Sequence, residues 1–194
     1  LTTQTSASIK VLATAPVLGD ADSDGDGISD ADEGYGDSDN DGIPDYQDNI
    51  IEPYLAPIGD SGQVVETSYG TTIALGSAAL SAGDNEIGVD EEDVGTADGD
   101  YSYLGGLADF EVSGGQAGAS YNVVIPLSVA VPANASVRKF IDANVGWQDF
   151  VLDANNAVSS ATSASGSCPQ PGNADYTDGL TVGANCLQLL IEDG

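Results

Sequence analysis

The sequence predicts an all-β protein, an antiparallel β-sandwich of jelly-roll-like or immunoglobulin-like kind, with a short acidic loop segment near its N-terminus. Three observations predict it. Short apolar-rich segments recur from about residue 62 onward, separated by clusters of Gly, Asn, Asp and Pro. The composition, with 25 Gly, abundant Thr, Ser, Val and Ala, and few Lys, Arg and Glu, favours strands and turns over helices. Apolar residues make up 41% of the 194, enough for one packed core and a small appendage.

Taken in order, the chain divides into four parts. Residues 1–19 contain a segment over 4–15, QTSASIKVLATA, that alternates loosely and stops before Pro16, and so reads as a strand. Residues 20–49 are nearly all Asp, Gly, Ser and Asn; without apolar periodicity they cannot build a conventional core. Residues 50–61 carry Pro53 and Pro57 and read as an extended connector that docks on something. Residues 62–194 form the sandwich. Its strands are expected within 62–69, 71–75, 107–113, 120–131, 136–141, 146–152 and 186–192. Val123, Ile125, Leu127, Val129 and Val131 alternate on one face, and Pro126 and Pro132 suggest an edge strand or a bulge. Phe140, Trp147 and Phe150 read as core aromatics, and Ser113-Gly114-Gly115 as a hairpin turn.

Charge narrows the function. There are 32 acidic residues against three basic ones, Lys10, Arg138 and Lys139, for a net charge of −29. Such a chain repels nucleic acid and anionic membranes, and it strains its own compact state unless cations neutralise part of the charge. Scattered acids read as solvated surface, and Arg138 and Lys139 as partners of local carboxylates. Histidine is absent, which removes the usual general base, the Ser/His and Cys/His nucleophile systems and the commonest zinc ligand. No residue set has a spacing that singles out an enzyme. No apolar run approaches the ~18 residues of a membrane span. Methionine is lacking, even at position 1, so the chain reads as processed or excised. Cys168 and Cys186 are the only cysteines. In an acidic, Lys-poor, loop-rich chain they read as a disulfide rather than as buried thiols. The bridge would close 18 residues, worth roughly 3 kcal/mol in the chain-entropy view, and implies an oxidising compartment.

The clustered acids are the informative ones. Residues 22–33, D-S-D-G-D-G-I-S-D-A-D-E, match D-x-D-x-D-G-x5-E in full. Asp22, Asp24 and Asp26 fall at loop positions 1, 3 and 5, and Gly27 takes the sharp turn at position 6. The Ile28 carbonyl falls at position 7, Asp30 at position 9 (acting through water) and Glu33 at position 12. Residues 37–48, D-S-D-N-D-G-I-P-D-Y-Q-D, place Asp37, Asp39, Asp41, Gly42, the Ile43 carbonyl, Asp45 and Asp48 in the same positions. The shorter Asp at position 12 predicts a weaker second site. Asp20 and Asp32 are left over for a neighbouring ion. This chemistry is that of Ca²⁺, a hard cation that takes six to eight oxygens near ~2.4 Å, and two or more ions are expected. A segment with almost no apolar residues is ordered by its ions, not by burial. The predicted fold is therefore a sandwich preceded by a calcium-wrapped segment. A second acidic stretch, 84–100, has no glycine-anchored register and reads as a solvated loop; Asp98 and Asp100 are the ligands it would offer a metal.

The two loops start 15 residues apart, with only Gly34, Tyr35 and Gly36 between them, too little for paired EF-hand helices. The spacing resembles bacterial thrombospondin type 3 repeats, which implies a stiff calcium-bearing spacer rather than a sensor. Residues 123–140 (VVIPLSVAVPANASVRKF), 146–161 (GWQDFVLDANNAVSSA) and 166–194, with both cysteines and the terminal IEDG, resemble the bacterial choice-of-anchor U domain. That resemblance implies a C-terminal unit of a secreted surface protein, without an assigned activity. The expected function is an extracellular, calcium-binding structural or adhesive module of a bacterial surface protein, beside neighbouring domains of a larger chain. Two alternatives stand with it. One is a filament subunit assembled by donation of the 4–15 strand. The other is a calcium-dependent glycan- or peptide-binding domain, which requires an ion near Tyr101, Tyr103 or Trp147.

Overall fold

The computed structural model describes residues 14–59, 62–95, 97–99, 101–103, 106–164 and 166–192. The strand expected over 4–15 lies outside the described residues except for Thr14 and Ala15, and so does Asp100.

The acidic segment contains one helical turn, α1 (Asp30–Glu33), and one 3-10 turn (Asp45–Gln47). The strands are β1 (Leu55–Ile58), β2 (Gln63–Thr67), β3 (Thr72–Leu75), β4 (Gly88–Val89), β5 (Leu107–Ala108), β6 (Phe110–Ser113), β7 (Ser120–Pro126), β8 (Arg138–Phe140), β9 (Trp147–Asp149), β10 (Ala157–Ala161), β11 (Thr177–Asp178) and β12 (Cys186–Glu192). Short helices α2 (Ser77–Ala82) and α3 (Glu91–Val94) flank β4. Every ladder between these strands is antiparallel, as the all-β reading expects.

Six strands form the main sheet in the order β1-β2-β7-β12-β10-β11. β7 and β12 are its centre, paired from Ser120 opposite Glu192 to Pro126 opposite Cys186. Because side chains alternate along a strand, Val123 and Ile125 share a face with Leu187 and Leu189. That face meets Ile73 and Leu75 of β3, Ala79 of α2, and Ile87 beside β4, and the hydrophobic core forms there. Residues 166–176 lie over part of the other face. The Cys168–Cys186 disulfide clips this cover to β12, and the Gln188 carboxamide oxygen accepts the Gly172 amide at 2.6 Å.

Several sequence expectations need correction. β7 is central, not an edge. Pro126 is tolerated because it is the last residue of the strand, and β2 pairs only with Val123 and Val124 on that side, so no ladder N–H is required of it. The alternation stops with the strand: Val129 is 47% exposed, while Val131 returns to the interior. The connector contains β1, whose Pro57 sits on an edge strand opposite Val64, where a missing N–H does no harm. β10, with the sequence AVSSA, gave no apolar signal. It is held by polar pairing: buried Ser160 donates its hydroxyl to the Gly179 carbonyl and accepts the Thr181 amide, both at 2.8 Å. Trp147 and Phe140 leave the main core for a satellite cluster on β8–β9, with ring centroids 5.4 Å apart. Phe150 does pack against the core.

The 84–100 stretch is partly folded rather than a solvated loop. It supplies β4 and α3, and Asp98 is buried.

Candidate metal centre

Each predicted loop closes on itself through carboxylate-to-backbone hydrogen bonds, and the two loops repeat one pattern. At position 1, Asp22 accepts the Gly27 amide and Asp37 accepts the Gly42 amide, both at 3.2 Å. At position 3, Asp24 accepts from Asp26 at 3.1 Å and Asp39 from Asp41 at 3.3 Å. At position 5, Asp26 accepts from Ile28 and Asp41 from Ile43, both at 2.7 Å. The position-6 glycines, Gly27 and Gly42, have φ of 98° and 100°, a left-handed conformation that side chains disfavour. A Cβ on Gly42 would also press on Leu80 at 3.2 Å.

These bonds leave oxygens that converge. Asp22, Asp24 and Asp26 each offer one carboxylate oxygen, all within 4.8 Å of one another, and Asp37, Asp39 and Asp41 do the same. Oxygens bound to one calcium at ~2.4 Å lie at most about 4.8 Å apart, so each triad has the dimensions of a calcium shell. Glu33 and Asp48 stand close enough to the triads to feel their charge. Asp24 Oδ2, Glu33 Oε2, Asp39 Oδ2 and Asp41 Oδ2 are shielded from solvent and have no hydrogen-bond partner. Asp41 is 0% exposed and Asp39 6%. A buried carboxylate without a partner is costly, so these oxygens require a cation or a proton.

The acidities agree. Burial, then repulsion from Asp39, Asp48 and Asp37, pushes Asp41 up to about 7 against a lowering hydrogen bond from Ile43. Burial chiefly pushes Asp48 up to about 6, with Asp39 and Asp24 adding to it. Asp24, Glu33 and Asp39 are raised for the same two reasons.

The position-9 acids do something the sequence reading missed. Asp30 accepts both the amide and the hydroxyl of Ser23 at 2.9 Å. Asp45 accepts the amide and hydroxyl of Ser38 at 2.7 and 2.9 Å. Both oxygens of each are thus engaged in bracing the loop; the signal was a Ser at position 2 of both loops. The same residues donate their amides back to the position just ahead of the loop, Asp30 to Ala21 at 2.7 Å and Asp45 to Gly36 at 2.8 Å. Asp20 and Asp32 join neither triad; Asp32 accepts the Ser29 hydroxyl at 2.8 Å.

The loops differ in their surroundings. Loop 1 (22–33) rests on loop 2 (37–48): the Asn49 carboxamide donates to the Asp24 carbonyl at 3.2 Å, and Tyr35 meets Tyr46 edge-on at 6.0 Å. Loop 2 is built into the β domain. Ile43 is 1% exposed and belongs to the core, whereas its counterpart Ile28 is 49% exposed.

The second acidic stretch holds no triad among the described residues. Asp98, offered as a metal ligand, instead accepts two bonds from the Arg138 guanidinium at 2.8 Å, which lowers its carboxyl below the usual range. Arg138 also bonds Asp149 at 2.6 Å and lies over the Tyr101 ring. The aromatic set Tyr101, Tyr103 and Trp147 thus gathers around a cation supplied by the protein itself.

No known protein family, curated protein or solved structure matches the chain.

Proposed function

We propose that this chain is a calcium-stiffened structural module of an extracellular bacterial surface protein, in which a two-ion acidic arm stands on a β-sandwich and adhesion or spacing is the task. The observation that carries this reading is the pair of buried, unpartnered oxygens, Asp39 Oδ2 and Asp41 Oδ2, inside a triad of calcium dimensions. Asp22, Asp24, Asp26, Glu33 and the Ile28 carbonyl would hold the first ion; Asp37, Asp39, Asp41, Asp48 and the Ile43 carbonyl would hold the second. The ion supplies charge neutralisation and a cross-link between backbone turns. Asp30 and Asp45 hold the loops in register through Ser23 and Ser38.

Two features support the location. The Cys168–Cys186 disulfide suits an oxidising compartment. Calcium sites of extracellular modules are matched to millimolar calcium. The sandwich reading is supported by β3, β4 and α2 packing on one face of the main sheet. The deciding experiment is calcium titration by calorimetry on chelator-stripped protein. Two sites are expected, with loop 2 weaker as its position-12 Asp predicts; a flat titration at millimolar calcium refutes the reading.

A further inference from the structure

The inner face of the main sheet is only partly covered. Past β3, β4 and α2 it opens onto a cavity of about 1190 Å³, floored by Ile125, Leu187, Leu189 and Ile191 and walled by Phe110 and Val112 of β6. Protein interiors seldom leave gaps larger than a water, and this volume exceeds that of most small-molecule pockets, which run to roughly 1,000 Å³. β6 has a strand partner on one side only among the described residues, namely β3. The cavity thus combines an apolar floor with a strand that can take another neighbour.

One part of the chain has the pattern to fill it. Residues 1–13 lie outside the described structure. Their sequence alternates over residues 3–11, with Thr3, Thr5, Ala7, Ile9 and Val11 on one face and Gln4, Ser6, Ser8 and Lys10 on the other, before Leu12 and Ala13 end the pattern. Charge separates them from everything else: all 32 acids lie beyond residue 19, while residues 1–19 carry Lys10 and no acid. Four acids, Asp93, Asp109, Asp142 and Glu192, line the cavity against two cations, Arg138 and Lys139, and this acidic excess favours a segment that carries a positive charge over the acid-rich remainder of the chain.

The exit point of this segment is fixed. The Tyr35 hydroxyl donates to the Pro16 carbonyl, and the Gly19 carbonyl accepts the Ala31 amide, so the chain leaves from loop 1, the loop that rests on loop 2 rather than in the core. We propose that residues 3–11 enter the cavity of a second copy of this chain, adding a strand beside β6 with Ala7, Ile9 and Val11 pointing inward. Successive copies then join head to tail, and because the contact is heterologous it propagates into a filament. The contact uses none of the loop carboxylates, so it stands or falls separately from the calcium reading.

The test uses the full chain, calcium-loaded, in sedimentation velocity over a range of protein and salt concentrations. Oligomers that grow with concentration are expected. Ile9→Asp and Val11→Asp should each weaken association at least tenfold while leaving the melting temperature of the dilute monomer unchanged. A synthetic peptide of residues 1–15 should bind the Ile9→Asp chain and change the emission of Trp147, which lines the cavity. In the double variant Ile9→Cys, Val112→Cys, oxidation should give a ladder of covalent multimers. Monomer at every concentration, an intrachain cross-link in place of the ladder, or a cavity that takes up an apolar dye but ignores the peptide would each overturn the proposal.

Discussion

The backbone amide of Leu75 donates to the carbonyl of Asp41 at 2.8 Å, so a core strand and a metal-loop residue are joined directly. Asp41 turns its carbonyl to β3 and its carboxylate to the triad. Ordering of the second loop is therefore coupled to packing of the β domain, and metal bound at this loop would stabilise the whole fold.

Calcium should raise the melting temperature. At free calcium of ~100 times the dissociation constant, each site adds roughly 2.7 kcal/mol. For a chain of this size that corresponds to about 5–10 °C per site. Differential scanning calorimetry with calcium and with EDTA checks this, and coincident curves would count against metal in the loops.

The pH dependence should reverse with calcium. In the calcium-free chain Asp41 is raised to about 7 and Asp48 to about 6, above the ordinary 3.8. A folded-state pKa above the unfolded one favours folding while the group is protonated, and that contribution is lost as pH rises through 6 and 7. The EDTA-treated protein should therefore melt higher at pH 5 than at pH 8. Protons compete with calcium over the same window, so the gain from calcium should grow with pH. Asp41→Asn should flatten the EDTA curve; an unchanged slope in that variant would assign the effect elsewhere.

Asp41→Asn should also have opposite effects in the two states. Without calcium it removes a buried charge and should stabilise the chain by about 1–2 kcal/mol at pH 8. With calcium it removes a ligand and should lower affinity at the second site at least tenfold. Chemical denaturation in both conditions reads the sign change.

Ile43→Ala should cost about 2–4 kcal/mol, as for other large-to-small changes at fully buried positions. Ile28→Ala, at the equivalent position of the exposed loop, should fall within about 0.5 kcal/mol. Equal costs would mean that loop 2 is not anchored in the core.

Replacing both Cys168 and Cys186 by Ser should cost roughly 3 kcal/mol for an 18-residue loop. It should also free the Gly172 amide, which donates to the Gln188 side chain, to exchange with solvent. Exchange confined to chain ends would show that the cover stays seated without its clip.

Much of the loop geometry was legible because the D-x-D-x-D-G pattern has strict spacing. Asp at positions 1, 3 and 5 and Gly at 6 specify the triads and the two left-handed turns without reference to the rest of the fold. The strands with apolar alternation, β2, β3, β7 and β12, were legible for the same local reason. What escaped was set by tertiary context. Ile28 and Ile43 occupy identical places in near-identical loops, and only docking against Leu75 and Leu80 decides that one is core and the other surface. β10 is made of Ala, Val and Ser, and its strand identity comes from β12 and from the Ser160 hydroxyl network. α2 depends on a distant residue, since the Asp109 carboxylate accepts the Ala78 and Ala79 amides at its start. The same carboxylate fills the space that any side chain on Gly76 would need.

Loop 1 sits on loop 2 much as a brick sits on a course already mortared to the wall. The amide that closes each loop is received by the residue just ahead of it, Ala21 in one and Gly36 in the other. Each loop is thus tied shut by its own chain, and the outer one leans on the inner through Asn49 and the Tyr35–Tyr46 contact.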